Sequence, residues 1–175
     1  MMAMNIVVRP ARFDDVPAIL EITQEAFHKY AFDLGNNYPV KALHETEATI
    51  VEQMEQKHIL IGELDGSPVG SIRYEFIHGD VAYISRFGVK LVAQSCGMGG
   101  ALVNRVVRNC LEKNKRAIAL HTCAKMYSLI RFYYGKGFFI HSTTTDRGYL
   151  RALLVKELQQ PDPIYDYRLD VPAEY

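Results

Sequence analysis

The period of apolar and polar positions changes several times along the chain, and each change marks an element. Residues 5–9 read as a short strand stopped by Pro10. Over 14–30, Val16, Ile19, Leu20, Ala26, Phe27 and Tyr30 recur at three- and four-residue steps behind an acidic, proline-bearing start, which predicts a helix lying on a core. Gly35, Asn36 and Asn37 then make loop chemistry, and a more polar helix is expected over 42–56. Two apolar runs, 58–64 and 68–77, flank Asp65-Gly66, a strong hairpin signal, and a turn at His78-Gly79-Asp80 leads to a third strand over 81–89. After the glycine-rich turn Gln94-Ser95-Cys96-Gly97-Met98-Gly99-Gly100 comes a helix to about Asn114, with Leu102, Val103, Val106, Val107, Cys110 and Leu111 on one face. A strand over 117–122, a helix over 126–134 and closing strands over 138–143 and 150–158 complete the pattern. The order predicts a mixed sheet with helices on both faces and one parallel crossover, between strands 81–89 and 117–122.

Composition narrows the class. With 175 residues and 49% apolar side chains the chain is of globular type and long enough to bury a core without staples. We expect one domain over 1–158, followed by an extended, proline-bearing tail over 159–175. Twenty basic residues balance twenty acidic ones, so the stripe of positive charge that duplex nucleic acid requires is missing, and no nucleic-acid partner is expected. Neutrality leaves room for an anionic small ligand, because backbone amides at a helix start bind phosphate without side-chain charge. Cys96, Cys110 and Cys123 form no Cys-x-x-Cys pair and have no zinc-type His spacing, so no metal site is expected and reduced thiols fit a cytoplasmic location. The first fifteen residues lack a basic region followed by an apolar run, and no window approaches the roughly eighteen apolar residues of a membrane span, so no membrane association is expected.

The chemistry concentrates in the glycine turn. Between a strand and an amphipathic helix, several N–H groups converge at the positive end of the helix dipole, and glycines let an anion approach the main chain. A tight turn serving only helix packing would use the same residues. A Walker loop is ruled out, since Gly99-Gly100-Ala101 stands where Gly-Lys-Ser/Thr is needed. A dinucleotide fingerprint also fails, because Val103 follows the glycines and the next strand ends His121-Thr122-Cys123 without an acidic residue.

The third pattern fits: strand, Gln/Arg-x-x-Gly-x-Gly/Ala, helix, strand, helix, and an aromatic pair before Gly-Phe. Gln94, Gly97 and Gly99 match its turn, Val89 matches the apolar end of the preceding strand, and Phe132-Tyr133 before Gly137-Phe138 matches its second element. In these motifs the chain resembles the GNAT family of N-acetyltransferases. The resemblance in element order runs from about Asn5 to Leu158, and the specific motifs lie between Val81 and Phe138. It implies an α/β (α+β) fold with a mixed, mostly antiparallel twisted sheet of six to seven strands and about four helices on both faces. It also implies that Gln94, Ser95, Cys96, Gly97, Met98, Gly99 and Gly100 hold the pyrophosphate of acetyl-CoA as cosubstrate. The main chain of Phe87, Gly88 and Val89 would meet the thioester carbonyl at a bulge; Gly88 fits such a bulge or a close ligand approach, and packing alone would also explain it. Tyr133 would protonate the departing thiolate, while Tyr134, about 100° further round the helix, should face elsewhere.

The implied activity is acetyl transfer to a primary amine by direct attack in a ternary complex. The alternative is a non-catalytic acyl-CoA-binding or sensor module of the same fold. Three departures from the family pattern permit that alternative: Tyr83 replaces the strand carboxylate some relatives carry eleven residues before the Gln/Arg, and Met126 and Leu129 replace an Asn and an Ala that contact the pantetheine arm. Glu75, His78 and His121 remain as candidate bases, and none is assigned. For the acceptor side, the resemblance points to the first two helices, their loop and the last strands, where Phe27, Tyr30, Phe32, Tyr38 and Tyr149 stand without an acidic cluster. A small-molecule or peptide amine is expected there rather than a polyamine, and a twofold dimer is the default for a soluble enzyme.

Overall fold

The computed structural model describes residues 2–159. Asp65 and Gly66, with φ of 50° and 86°, turn the chain between β2 (His58–Leu64) and β3 (Ser67–Ile77). A second left-handed pair, His78 and Gly79, leads into β4 (Val81–Val89). With β1 (Ile6–Pro10), β5 (Ala117–Cys123), β6 (Phe139–Thr144) and β7 (Arg151–Glu157), these form one seven-stranded sheet in the order β1-β2-β3-β4-β5-β7-β6. Every neighbouring pair is antiparallel except β4 and β5. The mixed, mostly antiparallel sheet and its single parallel crossover are thus as expected. Pro10 does not stop β1 but belongs to it, opposite Leu60, which an edge strand tolerates because its outer side needs no donor.

Four α-helices cover the sheet: α1 (Val16–Asp33), α2 (Glu47–Gln56), α3 (Met98–Glu112) and α4 (Tyr127–Gly135). α1 and α2 bury Val16, Ile19, Ile22 and Ile50 against Ile59 and Ile61 on one face. α3 and α4 bury Leu102, Val103, Val106, Cys110 and Tyr133 against Ile72, Tyr74, Ile84, Ile118 and Leu120 on the other. Leu111, expected on the α3 face, is 51% exposed. The second helix begins later than its pattern suggested. Residues Lys41–His44 form a short 3-10 turn, and Thr46 caps α2 through reciprocal bonds with Thr49 of 3.3 and 2.9 Å. The break between them turns Glu45 inward.

β4 and β5 pair only from Val81–Tyr83 to Ala117–Ala119. Beyond those three register positions the strands diverge, and the gap becomes the cleft described below. Among the described residues no helix is long and apolar enough to cross a membrane, and no group of three His, Cys, Asp or Glu side chains could hold a metal ion. The tail expected over 159–175 lies, beyond Gln159, outside the described residues.

Candidate active site

A cleft of about 620 Å³ passes through the gap between β4 and β5 and reaches both faces of the sheet. On the α3 side the chain enters the helix through left-handed residues, Ser95 at φ 68° and Gly97 at φ 92°. Alternating handedness of this kind gathers backbone N–H groups into an anion-binding nest. The N–H groups of Gly97, Met98, Gly99 and Gly100 have no backbone acceptor among the described residues, and the first helical bond runs from the Ala101 N–H to the Gly97 carbonyl at 3.0 Å. The ammonium of Lys136 stands beside them, 2.8 Å from where a Cβ on Gly100 would lie. Lys136 has no ion-pair partner among the described residues. The sequence reading missed it, although it immediately precedes the matched Gly137-Phe138.

Gln94, Ser95, Gly97, Gly99 and Gly100 line the cleft, as do Phe87, Gly88 and Val89. Cys96 and Met98 do not. The Met98 side chain is fully buried in the core, and the Cys96 thiol donates to the Ala93 carbonyl at 2.7 Å, so only their backbones belong to the turn. The Gln94 amide reaches the Val89 carbonyl at a long 3.4 Å.

The β4 bulge lies two residues before the position expected from Gly88. Ser71 pairs with Gly88 and Arg73 with Ser85, leaving Arg86 and Phe87 against Ile72, and it is Arg86 that takes the positive φ of 47°. Gly88 answers instead to packing: a Cβ there would come within 2.6 Å of the Ala26 Cβ on α1. Arg86 is held by charge, its Nε donating to Glu45 at 2.8 Å. Glu45 also receives two bonds of 2.8 Å from Arg73, which is fully buried. Burial alone would raise the Glu45 carboxyl, but the two arginines outweigh it and hold it ionised below its ordinary range.

From α4, Tyr133 reaches the cleft inside a cage of Phe87, Phe132 and Phe138, with ring centroids 6.5, 5.2 and 5.5 Å away in edge-on contacts. Burial pushes its phenol well above the ordinary value, so it stays protonated. Tyr134 faces elsewhere, half exposed, its hydroxyl accepting from the Ile140 N–H at 3.2 Å.

On the α1 side, the Tyr83 hydroxyl and His121 Nδ1 lie 2.7 Å apart, β4 and β5 each supplying one partner just where the strands part. Burial pushes the Tyr83 phenol up to about 12 and His121 down to about 4, the latter with Arg151 adding to the effect. His121 is therefore a neutral imidazole at pH 7. Of the three candidate bases it alone lines the cleft; Glu75 and His78 do not. Phe27, Tyr30 and Tyr149 line this end, and Tyr38 packs against Tyr149 in a tilted contact with centroids 5.2 Å apart. The Tyr30 hydroxyl accepts from the Cys123 N–H at 3.1 Å and meets the Tyr149 hydroxyl at 3.2 Å. Phe32 is 71% exposed and takes no part.

Splayed parallel strands, a bulge beside the gap and an amide-rich helix start together make a cleft that offers N–H donors to an anion on one face of the sheet and is open on the other. The sequence model of the acetyltransferase (GNAT) family matches residues 17–138, more than half of the chain, and the chain belongs to that family. No curated protein sequence matches it. Among solved structures it is similar to the paia N-acetyltransferase of Thermoplasma acidophilum in complex with coenzyme A, at 16% identity over 87% of this chain and 99% of that one, with a TM-score of 0.75. It is likewise similar to the ribosomal-protein-S18-alanine N-acetyltransferase of Escherichia coli, at 16% identity over 93% and 100% of the two chains and a TM-score of 0.71. A third, yncA of Salmonella typhimurium with its cofactor acetyl-CoA, gives 17% identity over 91% and 99%, with a TM-score of 0.71. These likenesses are of fold.

Proposed function

We propose that residues 1–158 form a single acetyltransferase domain that moves the acetyl group of acetyl-CoA to a primary amine by direct attack in a ternary complex. The observation that carries this reading is the cleft through the β4–β5 gap, which joins the amide-rich turn on one face to the Tyr83–His121 pair on the other. The cradle suits the coenzyme: free N–H groups at Gly97 to Gly100 and the Lys136 ammonium would hold the pyrophosphate. Solved structures of similar fold contain coenzyme A or acetyl-CoA. The bound cosubstrate would supply an acetyl thioester, a carbonyl open to a neutral amine.

The protein's part is to polarise, to accept and to donate. A main-chain N–H in Phe87 to Val89, turned by the bulge, polarises the thioester carbonyl. A free amine, with a pKa of about 10.4, is mostly charged at pH 7, and an imidazole titrating near 4 cannot strip that ammonium. The small neutral fraction of the amine, its first proton lost to water, is the species that attacks, and the imidazole is matched to the stage after it. As nitrogen bonds to the carbonyl carbon its proton becomes far more acidic, and in the tautomer whose Nδ1–H donates to the Tyr83 oxygen the bare Nε2 of His121 accepts it. Because a buried phenol is a weaker acid than a thiol, Tyr133 donates a hydrogen bond to the sulfur as it gains charge, and its proton crosses to the leaving thiolate only as the one held by His121 returns through water, leaving amide, thiol and two neutral side chains.

Tyr133→Phe tests the reading. Thiol release should fall by roughly a hundredfold while calorimetric affinity for acetyl-CoA stays the same. Unchanged turnover would remove Tyr133 from the acid role, and acetyl-CoA binding without thiol release from any amine would leave only a binding module.

A further inference from the structure

The acceptor end of the cleft is lined by five cations, Lys29, Lys41, Arg86, Arg147 and Arg151, against one carboxylate, Asp33. Four of the cations are already engaged. Lys29 pairs with Asp33 at 2.6 Å, Arg86 with Glu45 at 2.8 Å and Arg151 with Asp146 at 3.1 Å, and Lys41 has a partner of its own. Arg147 has no ion pair and no hydrogen bond among the described residues. Its charged neighbours are Arg151, which repels it, and Asp146, both of whose oxygens are taken by Arg151 at 3.1 and 3.2 Å.

Arg147 does not sit on a loose loop. The Gly148 N–H donates to the Thr145 carbonyl at 3.0 Å, closing the turn that carries it. Gly148 adopts φ 85° with its bare face on the Tyr38 ring, 3.5 Å from where a Cβ would stand. Tyr38 packs at a tilt against Tyr149, and the Tyr149 hydroxyl meets Tyr30 of α1 at 3.2 Å. The turn is therefore clamped to α1 and to the loop that follows it. A half-buried guanidinium whose nearest carboxylate is bonded to a second arginine is under-compensated, and a planar carboxylate offers it two parallel charge-assisted bonds. Arg147 lines the same cleft as Tyr83 and His121, so an anion docked on its guanidinium shares that space with the nitrogen that His121 serves.

Building on the proposed acetyl transfer, we propose that the acceptor is a small amino acid, whose carboxylate docks on Arg147 while its amine lies beside His121. A peptide amine has no carboxylate next to its reacting nitrogen and leaves Arg147 unmatched. The test uses each common amino acid alongside its carboxamide, with two readouts: calorimetric binding to the protein saturated with coenzyme A, and thiol release from acetyl-CoA. At least one amino acid should bind and react with kcat/KM at least tenfold above its carboxamide, chiefly through KM. Arg147→Gln should erase that preference, lowering kcat/KM for the acid at least tenfold more than for the amide, and Arg147→Lys should restore part of it. Acids that bind through Arg147 without thiol release would sink acetyl transfer and keep the docking site. Amides that react as well as acids would do the reverse, and acids that neither bind nor react would overturn the inference.

Discussion

At the scale of single residues, the decisive group is His121, because its charge state links stability to the proposed chemistry. Burial holds its pKa at about 4, against an ordinary 6.5. Between those values the unfolded chain binds a proton that the folded chain refuses, so this contribution is fully present above about 6.5 and is lost as pH falls towards 4. At full burial the shift would correspond to roughly 3 kcal/mol, and the open cleft beside the ring brings it nearer to about 1–2 kcal/mol. Urea unfolding at about pH 7 and about pH 5 should therefore show a loss in the wild type that His121→Asn largely removes; an equal loss in both would assign the pH dependence to other groups. The sequence contained this site only in pieces. Tyr83 registered as a missing carboxylate and His121 as one of three candidates, since nothing local to either strand says that β4 and β5 pair for three positions and then part. Lys136 and Arg147 escaped for the same reason: each matters through a neighbour distant in sequence, Gly100 for one and Tyr83 for the other.

Elements are where the pattern of the chain was most legible and where its breaks were least so. The hairpin at Asp65-Gly66 and the stripe of α3 follow from turn chemistry and helical period alone. The start of α2 was misread because its cap is a Thr46–Thr49 pair rather than a box closed by Glu or Gln, and the same break sends Glu45 into the interior. There Glu45 holds together Arg73 on β3 and Arg86 at the β4 bulge, with bonds of 2.8 Å to each. A non-glycine residue at φ 47° inside a strand is strained, and the ion pair to Glu45 is the contact that would offset the strain. Glu45→Gln should thus act twice. Leaving the two arginines without their shared charge costs about 3 kcal/mol, read by urea unfolding. The released bulge should also lower kcat more than affinity for acetyl-CoA, since it is the main chain of Phe87 to Val89 that moves; a variant with wild-type kcat would show that the bulge holds its shape without Glu45.

For the molecule as a whole, the order of the last two strands was beyond local patterning. β7 inserts between β5 and β6, and the physical reason is visible in composition: Ala152 to Val155 are buried on both faces, whereas His141, Ser142 and Thr143 suit an edge. That insertion makes β5 a central strand on its β7 side while its β4 side is open beyond Ala119. The two halves of the sheet are consequently joined across the cleft by few strand contacts, and a ligand spanning the gap should brace them. Acetyl-CoA at a hundred times its Kd should stabilise the fold by about 2.7 kcal/mol, which for a domain of this size raises Tm by roughly 5–10 °C. The overall charge sharpens the expectation. A chain with equal numbers of acidic and basic residues offers a polyanion no attractive field at long range, so the proposed binding rests on local donors, the amides at Gly97 to Gly100 and the nearby Lys136. Lys136→Gln should weaken acetyl-CoA binding by roughly tenfold, about 1.4 kcal/mol, and shrink its salt dependence together with the Tm shift. If the variant kept the wild-type shift at every salt concentration, the amides alone would hold the coenzyme, and Lys136 would be a surface charge that happens to lie beside them.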